Sequence, residues 1–391
     1  MTIKVGIIGA SFARAAYLPA FKHIEGVEVT SIASFNLENA KSCAEEFKVK
    51  NFYDSWEKML NENVLDLVCI ATPTDLHAPI TLKALRSGAH VLCEKPTAMN
   101  ALEASEMLRV AEEHNKIHMI DHELRFNPNR KKIKEWISNG DIGAIQHVNI
   151  LNVSNGWLNP NSRSKNDWWS LKSRGGGRMG ANGSHQVDLI RWWCGEIKSV
   201  FGQALTVVEN RFDKTTNEAW KATADDLSHF SLELSNGGLA SIFLSGVASH
   251  ALGNKTQIFG TEGTIILEDK TEEILFAKKG EDFKKYHFED QNESLEGLNK
   301  GIWNISVLSL LRELVSAIKE NRSLDHGSTF QDGLKNQIVV DAVLESTIKG
   351  NGLICKYGFG KSKCFDYGSC RWFRSCNIKV FCKHKSKPFF N

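Results

Sequence analysis

The sequence predicts two domains of different class: an α/β domain with a doubly wound parallel sheet over residues 1–121, and an α+β domain over residues 122–355 with a large, mostly antiparallel sheet. Three observations predict this. The chain has 391 residues, more than one typical core accommodates. Short apolar, β-branched runs alternate with helical patterns up to about residue 121. Beyond that point the alternation gives way to strand after strand separated by turn dipeptides.

In the first domain, strands are expected at Lys4–Ile8, Val27–Ala33, Leu65–Ala71, His90–Cys93 and Lys116–Ile120. Their runs are apolar throughout, as strands buried on both faces require. Helices are expected at Asn36–Phe47, with Asn36 as cap, at Leu76–Ser87, ending at Gly88, and at Ala101–His114. In the second domain helices are expected at Pro128–Asn139 and His185–Cys194, closed by Gly140 and Gly195. Strands follow at Val200–Glu209, Leu227–Leu234, Gly238–Ser245, Gln257–Phe259, Thr264–Leu267 and Glu273–Ala277, and helices return at Ile305–Glu320 and Asp332–Lys349. The pair Asn236-Gly237 marks a hairpin.

Composition narrows the function. Hydrophobic residues at 42% and charged residues at 24% describe an ordinary globular chain, and no apolar run approaches bilayer length. The start, MTIKVGIIGA, reads as a first strand and not as a signal peptide, so a cytoplasmic protein is expected. The formal net charge is +2, yet residues 356–391 carry nine Lys and Arg against one Asp, a net of +8, which leaves the first 355 residues at −6. An acidic body argues against a nucleic-acid partner. Cys43, Cys69, Cys93 and Cys194 are scattered and read as small core residues. Cys364, Cys370, Cys376 and Cys382 recur every six residues without the close pairs of a structural zinc site, so no metal is expected.

Three stretches carry chemistry. In 5-VGIIGASFARAAYLPAF-21 a strand, a turn and a helix follow in the order of a dinucleotide fingerprint. Gly9 supplies the turn, while Ser11 and Arg14 replace the second and third glycines, so Gly9, Ser11, Phe12, Ala13 and Arg14 are the candidate phosphate contacts. The second strand ends in Ala33-Ser34-Phe35-Asn36, with no acid for the ribose of NAD; Ser34 or Arg14 could then meet a 2′-phosphate, which favours NADP over NAD. In 174-RGGGRMGANGSHQVDLIRWWCGE-196, glycines permit close backbone approach and His185 projects from the first turn of a helix, with Asp188 at i+3. The apolar run HVLC ends abruptly in Glu94-Lys95-Pro96, charges that need a partner or a task.

Taken together, VGIIGAS…LPAF, ATPTDLHAPITLKAL, GAHVLCEKPTAMN, DHELRFNP and GGG…GSHQVD make the chain resemble the Gfo/Idh/MocA oxidoreductases over about residues 3–350. The resemblance implies an N-terminal Rossmann domain, a C-terminal domain whose open sheet forms homodimers or homotetramers, and residues 356–391 outside the family fold as a poorly ordered tail. It also implies NAD or NADP as cofactor and hydride transfer between nicotinamide and a sugar, polyol or related hydroxy or keto compound. Lys95 corresponds to the family's lysine, before an often cis proline, and His185 to its histidine. Thr72, Pro73, His77 and Glu94 correspond to residues lining the cofactor, and Arg125 to the arginine of the RF-x-P segment. His122, Trp168, Trp169, Asn182 and Asp188 join Arg125 as candidate substrate residues. On this reading Lys95 stabilises a developing alkoxide and His185 exchanges its proton, since an imidazole titrates near neutrality. Many sugar dehydrogenases of the family carry an aspartate four residues before the histidine; here that position is Ala181. Two alternatives stand beside the dehydrogenase: a non-catalytic nucleotide- and sugar-binding regulator of the same fold, and a reductase of a non-sugar carbonyl.

Overall fold

The computed structural model describes residues 2–165, 167–268 and 271–350, with the backbone of 353–354, 356–358 and 379–381. The expectations for the tail, residues 356–391, lie outside these residues, apart from a short antiparallel pairing of Lys356–Gly358 with Lys379–Phe381.

Six strands, β1 (Ile3–Ile8), β2 (Val27–Ala33), β3 (Asn51–Tyr53), β4 (Leu67–Ile70), β5 (His90–Cys93) and β6 (His118–Ile120), form one sheet in the order β3-β2-β1-β4-β5-β6. All its pairings are parallel. The order reverses between β1 and β4, and a crevice opens at such a switch point beyond the carboxyl ends of the strands. Every side chain of β4 is buried, as its unbroken apolar run requires. Around the sheet lie α1 (Ala10–Ala15), α2 (Tyr17–Phe21), α3 (Leu37–Phe47), α4 (Trp56–Glu62), α5 (His77–Arg86) and α6 (Ala101–Glu113). Asn36 caps α3 by accepting from the Asn39 amide, and Asn100 caps α6 by accepting from those of Leu102 and Glu103. β3 and α4 were not expected; β3 is a three-residue edge strand, too short to leave a period.

The first helix is broken at Ala16, whose φ is −127°. Pro19 explains the break, because it has no N–H to give the Ala15 carbonyl one turn back. Asn299 donates its amide to that carbonyl instead, at 2.6 Å. The break turns α2 so that Tyr17 is fully buried under the sheet's carboxyl edge.

The second half holds α7 (Pro128–Ser138), β7 (Ile145–Val153), α8 (Ser184–Cys194), β8 (Ile197–Leu205), a small hairpin β9 (Asn210–Phe212) and β10 (Ala219–Lys221), then β11 (Leu227–Leu234), β12 (Leu239–Ser245), β13 (Gly253–Gly260), β14 (Gly263–Glu268), β15 (Glu273–Lys278) and β16 (Lys284–Tyr286). α9 (Ile302–Glu320), α10 (Phe330–Lys349) and β17 (Leu353–Ile354) follow. The sheet order is β16-β15-β14-β13-β7-β12-β11-β8-β17, with β7–β12 its single parallel pair. α8 and α10 cover one face, where Val187, Ile190, Val339 and Val343 meet Phe230, Leu232 and Ile242. The other face is open and presents Phe201, Leu205 and Leu239. α9 packs against the first sheet's layer, its Val307, Leu308, Leu311 and Leu314 lying with Ile7, Leu18, Phe21 and Leu92. Cys43, Cys69, Cys93 and Cys194 are buried free thiols, raised by that burial above the ordinary thiol range.

Candidate active site

β5 ends at Cys93 and hands on Glu94, Lys95 and Pro96, and β6 beside it ends at Ile120 and hands on Asp121, His122 and Glu123. Because the strands are parallel neighbours, their polar tips meet. The Asp121 amide donates to the Cys93 carbonyl at 2.8 Å, and the Tyr17 hydroxyl donates to Asp121 Oδ2 at 2.7 Å with Glu94 Oε1 3.4 Å away. Burial raises all three carboxyls, and Glu123 is pushed up to about 8. Tyr17, Asp121 and Glu123 were missed from the sequence; only their contact across strands identifies them. The Lys95-Pro96 bond is cis, as the resemblance implies.

His185 comes from the other direction. Residues Met179–Gly183 form a π-turn that runs directly into α8, a device frequent at functional sites. Asp225 anchors the turn: Oδ2 accepts from the Met179 amide at 2.8 Å and from Ser228 Oγ at 2.7 Å. At Gly177 (φ 117°) a Cβ would sit 2.1 Å from Asp225 Oδ1, so no side chain fits there. The His185 ring is buried, with Nδ1 3.4 Å from His122 Nδ1 and Nε2 3.9 Å from Glu123 Oε1. Burial, then the Lys95 charge, lowers His185 well below an ordinary imidazole; burial lowers His122 to about 4.

A cleft of about 260 Å³ is lined by Lys95, Trp157, Arg163, Trp169, Arg178, Ala181, Asn182 and His185. Lys95 Nζ lies 5.6 Å from the centre of the Trp169 ring, and Arg163 covers Trp157 at 4.4 Å. Trp168 stacks on Trp169 with ring centres 4.1 Å apart and does not line the cleft, so it supports the wall rather than forming it. Trp157, Arg163 and Arg178 were missed; Trp157 and Arg163 enter from a segment with no local motif, and Arg178 lies within the glycine–histidine stretch but was not singled out there. A second cavity, about 220 Å³, lies behind Pro96 and includes neither Lys95 nor His185.

Besides Trp168, three expected substrate residues are placed away from the cleft. Arg125 and Asp188 are buried against each other in a two-pronged pair, both contacts 2.7 Å. Burial would raise Asp188, but the Arg125 guanidinium outweighs it and holds the carboxyl well below the usual range. Asn336 Nδ2 and Ser328 Oγ also donate to Asp188, at 2.8 and 3.3 Å. These two ions are therefore a brace joining α8, α10 and the segment after β6. His122 is likewise 2% exposed and touches His185 and Asn336 rather than the cleft.

The expected cofactor residues gather at the switch point. Gly9 (φ 114°) donates to the Ala33 carbonyl at 2.9 Å, and a Cβ on it would come within 2.1 Å of the Ala71 carbonyl. That is the tight turn a backbone needs to bring the first turn of α1 against a pyrophosphate. Ser11 and Phe12 are exposed there, Ala13 is buried, and Ser34, Thr72 and Pro73 lie half-buried at the ends of β2 and β4. The residues present fit a dinucleotide. Two differ in detail. Arg14 is paired with Glu46 at 3.0 Å and with Ser42 Oγ at 3.1 Å, which directs it towards α3. His77 is buried with its nitrogens 2.9 Å from the Pro96 carbonyl and 3.0 Å from that of Thr72, so it ties two cofactor-side segments together instead of facing a ligand.

Comparison with known proteins agrees with this geometry. Residues 3–122 match the GFO_IDH_MocA family, described as "Oxidoreductase family, NAD-binding Rossmann fold", and residues 131–266 match the "GFO/IDH/MocA C-terminal domain". Levoglucosan dehydrogenase of Pseudarthrobacter phenanthrenivorans is 26% identical over 381 residues, covering 89% of this chain and 96% of its own. The scyllo-inositol 2-dehydrogenase (NADP(+)) of Bacillus subtilis is 24% identical over 359 residues, covering 88% and 94%. A solved structure of levoglucosan dehydrogenase in complex with NADH and L-sorbose aligns with TM-score 0.82 at 25% identity, over 90% of this chain and 98% of that one. Two domain matches in the order of the two sheets, with the Rossmann switch point and the glycine cradle beneath it, establish that the chain belongs to the Gfo/Idh/MocA family of NAD-binding oxidoreductases.

Proposed function

We propose that the protein is an NAD(P)-dependent dehydrogenase of a sugar or polyol, with Lys95 and His185 at the reacting oxygen. The carrying observation is that these two residues, distant in sequence, line one cleft of about 260 Å³ at the end of the cofactor-binding sheet. When bound, the nicotinamide supplies the two-electron acceptor or donor for the reacting carbon. Gly9 through Ala13, Ser34, Thr72, Pro73 and Glu94 would hold the dinucleotide, and the ammonium of Lys95 stabilises charge that develops on the substrate oxygen. Trp157 and Trp169 offer ring faces, and Arg163, Arg178 and Asn182 offer donors, a wall suited to a polyhydroxylated ring. The relatives named for levoglucosan and scyllo-inositol support that substrate class.

NADP is preferred over NAD. The absence of a carboxylate at Ser34-Phe35-Asn36 supports this, because an acid there would repel a 2′-phosphate, and one relative is named for NADP(+). With Arg14 held by Glu46, Ser34 is the nearer candidate for that contact.

The test is a panel of sugars, polyols and carbonyls mixed with the protein and either nucleotide, followed at the reduced-nicotinamide absorbance band. Turnover of a polyhydroxylated substrate is expected. Tight nucleotide and sugar binding with no turnover would replace the enzyme by a sensor of the same fold.

A further inference from the structure

The wall of the cleft carries positive charge that the protein itself does not fully answer. Its charged lining residues are Lys95, Arg163 and Arg178, and no Asp or Glu is among the residues that line it. Arg163 has a carboxylate partner, with Nη1 donating to Asp167 Oδ2 at 2.6 Å. Arg178 has none among the described residues, although it is only 8% exposed. Its Nη2 donates to Asn152 Oδ1 and, at 3.5 Å, to the Ser245 carbonyl, both neutral acceptors. Its Nη1 donates to no described residue, and its buried Nε is without a partner as well. Asp225 acts on Arg178 through space, but Asp225 Oδ2 is taken by the Met179 amide and Ser228 Oγ. A buried donor left unmatched in this way calls for an explanation.

The arginine is also held in place. Asn152 is buried in the inward series of β7, where an apolar side chain would otherwise stand, and it accepts from Arg178. A Cβ on Gly246 would lie 3.4 Å from Arg178 Cδ and 3.3 Å from Trp157 Cβ, so the arginine stem and the tryptophan both lie over that glycine. Arg178 directly precedes the turn Met179–Gly183 that delivers Asn182 and His185, so one short segment carries the guanidinium and the imidazole into the same cleft. A guanidinium keeps its proton at any working pH, and a buried charge without an anionic partner is costly. A neutral hydroxyl can accept a hydrogen bond but leaves the charge in place, whereas a carboxylate accepts through two oxygens and cancels it. Since Arg163 already holds Asp167, the wall lacks one singly charged group, and a phosphate dianion would exceed that.

We propose that the substrate is a sugar carboxylate, an aldonate or uronate, whose anionic end is seated on Arg178 while a hydroxyl or carbonyl elsewhere on the same molecule meets Lys95 and His185. The proposal rests on the dehydrogenase reading above and narrows its substrate class. The carboxylate is a handle and takes no part in hydride transfer. Arg178 is thus a specificity-determining residue, and Asn152 and Gly246 position it.

The test pairs carboxylates with uncharged twins of similar size: gluconate with glucitol, galactonate with galactitol, glucuronate with glucose, and galacturonate with galactose. kcat/KM is followed at the reduced-nicotinamide absorbance band with either nucleotide, and binding to the nucleotide-loaded protein is measured by calorimetry. At least one carboxylate should exceed its twin by ~100-fold, the size a desolvated charge pair supplies. In Arg178→Met that ratio should fall towards unity. Arg178→Lys keeps the charge but loses the planar fork, so its ratio should lie between the two, and this variant with the unmodified protein carries the test if the methionine variant does not fold. Twins equal to or better than the carboxylates, or an unchanged ratio in a folded Arg178→Met, overturn the proposal and leave the dehydrogenase reading intact. Glucose 6-phosphate preferred over glucuronate overturns the assignment of a carboxylate. Carboxylates that bind ~100-fold more tightly than their twins without turnover remove the dehydrogenase reading and leave the anion seat standing.

Discussion

Asp188→Asn separates a brace from a substrate ligand. The substitution keeps volume and removes one charge from a pair whose side chains are 6% and 1% exposed and joined by two 2.7 Å bonds. Deleting one member of a buried pair typically destabilises by about 3–5 kcal/mol, because the other is left charged in a poor solvent. Asp332, 3.6 Å from Arg125, remains and offsets part of this, so about 2–4 kcal/mol is expected. For a chain larger than 250 residues that corresponds to a fall in Tm of roughly 5–10 °C. Since the folded carboxyl is held below its unfolded value, the stabilisation is fully present above the unfolded carboxylate pKa of about 4 and fades only in stronger acid. The assay is thermal unfolding at pH 7 beside steady-state kinetics. An unchanged Tm with a large loss of kcat would refute the brace and return Asp188 to the substrate.

Further expectations follow from the same geometry. Gly9→Ala places a methyl 2.1 Å from the Ala71 carbonyl at φ 114°, so nucleotide affinity measured by fluorescence titration should fall by at least ~10-fold; unaltered affinity would show that the turn is not the cradle. Glu123→Gln removes a carboxyl whose folded pKa, about 8, is raised by burial. The wild-type stability tied to its proton is full below pH ~4 and lost as pH rises through 8, so the variant should gain in denaturant midpoint relative to wild type between pH 5 and 9. A gap independent of pH contradicts that. Trp169→Ala, opposite Lys95 in the cleft, should raise the sugar KM several-fold with little change in nucleotide affinity, and the reverse pattern would place Trp169 on the cofactor side.

The parts of the fold that rest on local period were readable from the sequence. Five of the six Rossmann strands and the cap Asn36 declare themselves through apolar runs and turn residues. The strand β7, at the centre of the second sheet, does not. Its core-facing series Val148, Ile150, Asn152 ends in a polar residue, because Asn152 accepts a hydrogen bond from Arg178 beside the cleft. A polar residue in a core position breaks the alternation that marks a strand. The site divides in the same way. Lys95 and His185 carry motifs, whereas Tyr17, Glu123, Trp157, Arg178 and Asn336 matter through contacts made only after folding. Asp188 misled for the opposite reason: i+3 spacing put it near His185 on the helix, but its side chain reaches Arg125, from the segment after β6. Arg14 stands at the right place in the fingerprint and is turned aside by Glu46, in the last turn of α3.

The central claim is that the Lys95 amino group serves the substrate oxygen. Lys95→Ala, compared with wild type on the preferred sugar by reduced-nicotinamide absorbance and on nucleotide binding by titration, tests it most directly. The account predicts a fall in kcat of about 10²–10³ or more with nucleotide Kd changed by less than ~3-fold. Turnover retained within a few-fold, or a loss explained wholly by weaker nucleotide binding, would contradict it.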